Sequence, residues 1–234
     1  MNPIEPFDRA HAALLVMDFQ TGIVANFAGG DQAGLLARAQ AALAAARGAE
    51  VPVIYVVIGF RAGHPEVSPR NAAFSVAKAS GSFAAGDPKA AIHPALAPRE
   101  GDVIVTKRRV SAFSGSDLEV VLRSKGIETL VLAGIATSGV VLSTLRQAAD
   151  DDYRLVVLSD CCADRDPDVH RCLLEKVVPA PGPGDDRRGV PARPEEGLNP
   201  RTQIGARGWP ALEITAYPVR SSKGTSVPGW KGPG

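Results

Sequence analysis

Leu130-Val131-Leu132-Ala133-Gly134-Ile135-Ala136-Thr137-Ser138-Gly139-Val140-Val141-Leu142-Ser143-Thr144-Leu145-Arg146 reads as strand, tight turn and helix in immediate succession. The opening apolar run is too short for a helix, the small residues Gly134, Ala136 and Gly139 break it, and Val141, Leu145 and Ala148 then recur at helical spacing. In an open α/β sheet, ligands bind in the crevice beyond the carboxyl ends of the strands, where a helix N-terminus offers unpaired N–H donors. Taken alone, the pattern is also that of any βα connection.

The rest of the chain repeats this alternation. Ala12 to Met17 is a continuous apolar run ending at Asp18, which suits a strand covered on both faces. Phe19 to Gly22 reads as a turn, and Gln32 to Arg47, rich in Ala and Leu, as a helix stopped by Gly48. Further strands are expected at Val51–Ile58, Asp102–Thr106 and Leu155–Ser159, and helices at 116–125, 138–150 and 167–177, the last with Pro in its first turn. Strands alternating with helices predict an α/β fold: a three-layer α/β/α sandwich around a mostly parallel, doubly wound, Rossmann-like sheet. Gly59 to Gly86 reads as one long irregular loop carrying Arg61, His64 and Glu66.

Composition narrows the function classes. The 234 residues carry a formal charge of +1 and give no electrostatic case for nucleic acid or a membrane surface. No apolar run approaches the roughly 20 residues of a bilayer crossing, and the start lacks a signal-peptide layout, so a cytoplasmic protein is expected. Cys161, Cys162 and Cys172 fit neither a disulfide framework nor a tetrahedral metal site. From Pro179 to Gly234 the sequence holds 10 prolines and 10 glycines, so residues 1–178 read as the domain and 179–234 as a poorly ordered tail. Within it only Ala211 to Tyr217 alternates as a strand would.

Three predicted strands deliver Asp18, Lys107 and the Gly134-to-Val140 turn to one sheet edge. A carboxylate beside an ammonium stays ionised and ready to take a proton while the cation offsets charge developing on a substrate oxygen, although a plain ion pair is equally compatible with the spacing. Arg61 and His64 are candidates for holding a substrate carboxylate.

Leu14-Leu15-Val16-Met17-Asp18-Phe19-Gln20, Val105-Thr106-Lys107 with Ser111-Ala112-Phe113, Gly134-Ile135-Ala136-Thr137, and Leu142-Ser143-Thr144-Leu145-Arg146-Gln147-Ala148 together resemble the isochorismatase-like hydrolases. The resemblance runs from about Ala12 to Val178 and implies a hydrolase, with Asp18 as general base and Lys107 as its partner. It further implies a cis peptide at Ile135-Ala136. Many members are cysteine hydrolases acting on amides through an Asp-Lys-Cys triad, and counting from Gly134 places the nucleophile on Val140, which cannot attack a carbonyl. Members that hydrolyse a vinyl ether also lack the cysteine, so a vinyl ether or an amide is the expected substrate. The nicotinamidase-like metal ligands have no counterpart around Gly59 to Glu66, so no metal or other cofactor is expected. Phe19, Gln20, Ala136, Thr137, Ser138, Gly139 and Val140 are then the expected lining, with backbone amides of the turn stabilising an oxyanion. A homo-oligomer acting on a small molecule is the corresponding partner expectation. The competing reading is a member that has lost catalysis and serves as a binding or assembly subunit.

Overall fold

A computed structural model of the chain describes residues 8–27, 31–178 and 214–217. At its centre lies a six-stranded sheet in the order β3-β2-β1-β4-β5-β6. The strands are β1 (Ala12–Met17), β2 (Val53–Ile58), β3 (Val103–Lys107), β4 (Thr129–Ile135), β5 (Arg154–Ala163) and β6 (Ile214–Tyr217). The first five run parallel, and β6 pairs antiparallel with β5. The helices are α1 (Thr21–Phe27), α2 (Gln32–Gly48), α3 (Ala72–Ser80), α4 (Leu118–Ser124), α5 (Leu142–Asp150) and α6 (Pro167–Cys172).

Strand β1 shows why the sheet is sandwiched. All six of its residues are buried, and the two-residue side-chain period divides them between opposite faces. Ala12, Leu14 and Val16 join one cluster with Leu35, Leu36, Ala39, Leu43 and Ala46 of α2. Ala13, Leu15 and Met17 join the other, with Leu118 and Leu122 of α4 and Leu145 and Ala148 of α5. Truncating a fully buried leucine such as Leu14 or Leu15 to alanine costs about 2–5 kcal/mol, so each face carries a large share of the marginal stability of a domain.

From β1 the chain steps outward to β2 and β3, then crosses back to β4 on the other flank of β1. The strand order therefore reverses between β1 and β4, and the carboxyl ends of these two strands border the crevice that doubly wound sheets use for ligands. Met17 is registered against Gly134 on one side and Val56 on the other, while Ile58 is registered against Lys107.

Several local expectations change. The 59–86 segment contains α3, capped by the Asn71 side chain accepting from the Phe74 amide and ended by Gly81 at φ 68°. No α3 residue is fully buried, and only Phe74 and Ala77 lean on the small Ile58–Phe60–Val67 cluster, a stripe too short to announce a helix. Helix α1 begins at Thr21, inside the Phe19-to-Gly22 segment read as a turn, and Lys107 is the last residue of β3. Thr137–Val141 forms a wide turn with non-helical Gly139 (φ −96°, ψ −105°) before α5 begins at Leu142. In the segment set apart as a tail, Ile214–Tyr217 forms β6, while the rest of residues 179–234 lies outside the described residues. No described helix is long and apolar enough to cross a membrane.

Candidate active site

The site begins with the backbone at the end of β1. The Asp18 amide still bonds to the Val56 carbonyl oxygen at 2.8 Å, but Asp18 itself adopts φ 58°. That left-handed conformation ends the strand and is one that Asp and Asn tolerate better than most residues. The Asp18 side chain meets Lys107 across β2, with Nζ 2.9 Å from Oδ2. Both side chains are almost fully enclosed, at 2% exposure for Lys107 and 8% for Asp18.

The ammonium is held from a second direction. Lys107 Nζ donates to the Arg109 carbonyl oxygen at 3.0 Å. Asp18 Oδ1, in contrast, is buried and has no hydrogen-bond partner among the described residues. Burial pushes the Asp18 carboxyl above its ordinary value, and the Lys107 charge and hydrogen bond offset part of that rise. A buried acid with one oxygen paired and the other unpaired is equipped to exchange a proton at Oδ1.

The segment after Lys107 is fastened to α5. Ser111 Oγ donates to Gln147 Oε1 at 2.7 Å, and the Ala112 amide donates to Thr144 Oγ1 at 3.0 Å. These contacts explain why polar residues face inward on α5. They were not singled out as functional from the sequence, since Ser, Thr and Gln at helical spacing carry no signal of their own.

Beyond β4, the Ile135-Ala136 peptide is cis. Of the Gly139 and Val140 amides expected to face an oxyanion, that of Gly139 is engaged within the wide turn that follows, and the neighbouring Ser138 amide is engaged too. The Ser138 N–H donates to Asp164 Oδ2 at 2.7 Å, and the Gly139 N–H donates to the Ala136 carbonyl oxygen at 3.1 Å. Thr137 is buried with Oγ1 2.7 Å from His170 Nδ1. Val140 is 2% exposed and belongs to the apolar cluster containing Met17, Ala112 and Phe113.

Other expected lining residues have different work. Gln20 is fully buried, and its amide group donates to the Ile58 and Ala90 carbonyl oxygens at 2.9 and 2.7 Å while accepting from the Ile58 amide at 2.9 Å. Its two donor hydrogens are thereby committed to stapling the end of β2 to a distant loop. Phe19 packs into the cluster on the α2 face. His64 is buried, donates from Nε2 to the Ser82 carbonyl oxygen at 2.7 Å and lies 5.0 Å from the Phe60 ring. Arg61 is exposed and pairs with Glu66 at 2.6 Å. Arg61 and His64 thus make separate contacts, one at the surface and one in the interior.

The cysteines offer no ready replacement for a nucleophile at 140. Cys161 and Cys162 are buried in β5, and burial pushes both thiols up, that of Cys162 to about 12. A thiol that stays protonated at neutral pH is a poor nucleophile. Cys172 is exposed on α6.

Comparison with known proteins converges on one family. Residues 12–183 match the isochorismatase domain. The chain is 31% identical over 165 residues to a maleamate amidohydrolase of Pseudomonas putida, covering 69% of this chain and 76% of the relative. It is 32% identical over 191 residues to a ureidoacrylate amidohydrolase of Methylobacterium radiotolerans, covering 73% and 74%. Among solved structures, a cysteine hydrolase from Pseudomonas syringae pv. phaseolicola superposes with a TM-score of 0.65 at 26% identity, covering 74% of this chain and 89% of that one. An isochorismatase family protein from Burkholderia thailandensis gives 0.62 at 32% identity, covering 74% and 89%. With the domain match spanning most of its length and these relatives agreeing in sequence and fold, the chain belongs to the isochorismatase family of hydrolases.

Proposed function

We propose that this hydrolase cleaves a small organic substrate at the Asp18–Lys107 pair without forming a covalent enzyme intermediate, and that an enol (vinyl) ether is the bond broken. The observation that carries this reading is the buried ion pair with Asp18 Oδ1 unpartnered, at the switch point of the sheet. Protonated Asp18 delivers its proton to the terminal vinyl carbon, leaving an oxocarbenium ion. Water adds to the cationic carbon and returns a proton to Asp18, and the resulting hemiketal collapses to a carbonyl compound and an alcohol. The raised carboxyl pKa keeps the acid form available for the first step. Lys107, held by the Arg109 carbonyl oxygen, keeps the carboxyl oriented and stabilises the carboxylate left after transfer.

The relatives named for maleamate and ureidoacrylate are amidohydrolases, and amides are the other substrate class to test. Val140 argues against the covalent route to an amide, because that position, taken as the family's nucleophile, has no atom able to attack a carbonyl. The test incubates the protein with isochorismate and with an amide panel including maleamate, then repeats both with Asp18→Asn. Turnover of the vinyl ether falling about 10²–10⁴-fold in the variant supports the reading. Amide turnover alone contradicts the enol-ether assignment, and no turnover of either favours the catalytically impaired binding subunit.

A further inference from the structure

The segment joining β5 to α6 touches the turn after β4 at two places. Asp164, just beyond β5, accepts the Ser138 amide hydrogen through Oδ2 at 2.7 Å. Six residues later, His170 on α6 places Nδ1 2.7 Å from Oγ1 of buried Thr137. Consecutive residues of the turn are thus gripped by an acid and an imidazole that belong to a different part of the chain.

From this geometry we propose that neutral His170 is a positioning residue for the reaction, its Nδ1 accepting the Thr137 hydroxyl proton and locking the turn beside the catalytic pair. The proposal rests on the functional reading above for its kinetic consequence, but not for the clamp itself. A threonine hydroxyl has one proton to give. With His170 neutral and its proton on Nε2, Nδ1 receives that proton and the hydroxyl rotor is fixed. Protonation of the ring reverses the bond: Nδ1–H now donates to Oγ1, and the Thr137 hydrogen must swing to another acceptor. The new positive charge also competes with the Ser138 amide for the Asp164 carboxylate.

The turn Thr137–Val141 carries no ionisable side chain. On the connecting segment, Asp164 is the charged group that acts on the imidazole, and its other oxygen accepts the Arg165 amide hydrogen. On α6 itself, Asp166 caps the first amides, and Asp168 pairs with Arg171 at 2.9 Å. Burial of the ring lowers its pKa from the ordinary 6.5, against the opposing pull of Asp164. The clamp is therefore closed at neutral pH and opens on acidification.

His170→Asn and His170→Ala test this in the full-length protein. Asparagine can present a non-titrating acceptor near the Nδ1 position, whereas alanine presents none. The expected result is that His170→Ala loses kcat by about ten- to a hundredfold with little change in KM. His170→Asn should retain most of the wild-type kcat and lose the acid limb assigned to the imidazole. Wild type and His170→Asn sharing one pH profile, with His170→Ala also unimpaired, overturns the proposal. A second readout needs no substrate: in a ¹⁵N NMR titration the Ser138 amide should shift with the His170 ring in wild type and stay still in His170→Asn. If neither vinyl ether nor amide is turned over, the functional reading has failed, and this titration alone decides the clamp. A Ser138 amide indifferent to His170 protonation then refutes it.

Discussion

Replacing Lys107 by methionine removes one charge from an enclosed pair while nearly conserving side-chain volume. Lys107 is 2% exposed and Asp18 8%, and the carboxylate has no other described hydrogen-bond partner at Oδ1. Orphaning one member of such a buried pair costs about 3–5 kcal/mol. For a chain of this size about 1 kcal/mol corresponds to about 2–4 °C in Tm, so the expected loss is about 6–20 °C at neutral pH. The pH dependence sharpens the test. Burial already raises the folded-state pKa of Asp18 above its unfolded value, and losing the ammonium raises it further. A carboxyl with a raised folded pKa contributes most favourably below its unfolded pKa, and that contribution is lost as pH rises through the folded value. The deficit of Lys107→Met relative to wild type should therefore shrink on acidification. Circular dichroism melts over a range of pH measure it, with Asp18→Asn/Lys107→Met closing a double-mutant cycle. A Tm within about 2 °C of wild type, or a deficit that ignores pH, would refute the view that this is a tightly enclosed pair.

Val140→Cys tests the placement of residue 140: a thiol that shares a pocket with the Lys107 ammonium should react with iodoacetamide faster than Cys161 or Cys162, whose thiols burial pushes up; peptide mapping separates it from exposed Cys172. A thiol at 140 no faster than Cys162 would show that the position does not face the ion pair. Gln20→Leu should destabilise the protein by about 2 kcal/mol or more, since the buried Ile58 N–H and C=O lose their partner at about 1–3 kcal/mol each and the half-buried Ala90 carbonyl loses its own. A urea midpoint that falls with m unchanged checks this, and a loss under about 1 kcal/mol would deny Gln20 its stapling role.

The sheet was legible in the chain because its signal is local. Continuous apolar runs such as Ala12 to Met17 belong to strands covered on both faces, and the parallel alternation fixes which ends share an edge. Asp18 and Lys107 followed from that edge alone, and they do meet. What was not legible depends on partners far away in sequence. Gln20 and His64 are residue types that serve equally as ligand contacts or as buried staples, and only the backbone carbonyls of Ile58, Ala90 and Ser82 decide for the second. The grip of Asp164 on the Ser138 amide spans 26 residues and left no trace in the local pattern of the turn. Helix α3 escaped because none of its residues is fully buried and its apolar period is reduced to Phe74 and Ala77. Strand β6 lies within the alternating Ala211 to Tyr217 stretch, but its signal is weak because the Pro- and Gly-rich surroundings argue against regular structure and pairing with β5 supplies the order.

The left-handed backbone at Asp18 has a consequence for how this protein can change over generations. A β-branched or bulky residue there would meet both an unfavourable φ and an enclosed site, so the backbone tolerates chiefly Asp, Asn and Gly. Of those three only Asp carries a proton that it can give and take back. Asp and Asn codons differ by a single base, so on the mechanism proposed above one substitution separates a proton-transferring member from an inert one that keeps the same strand end. Loss of chemistry is, at this position, a shorter evolutionary step than loss of shape. The fold is therefore open to reuse as a binding module, by a route that leaves its core untouched.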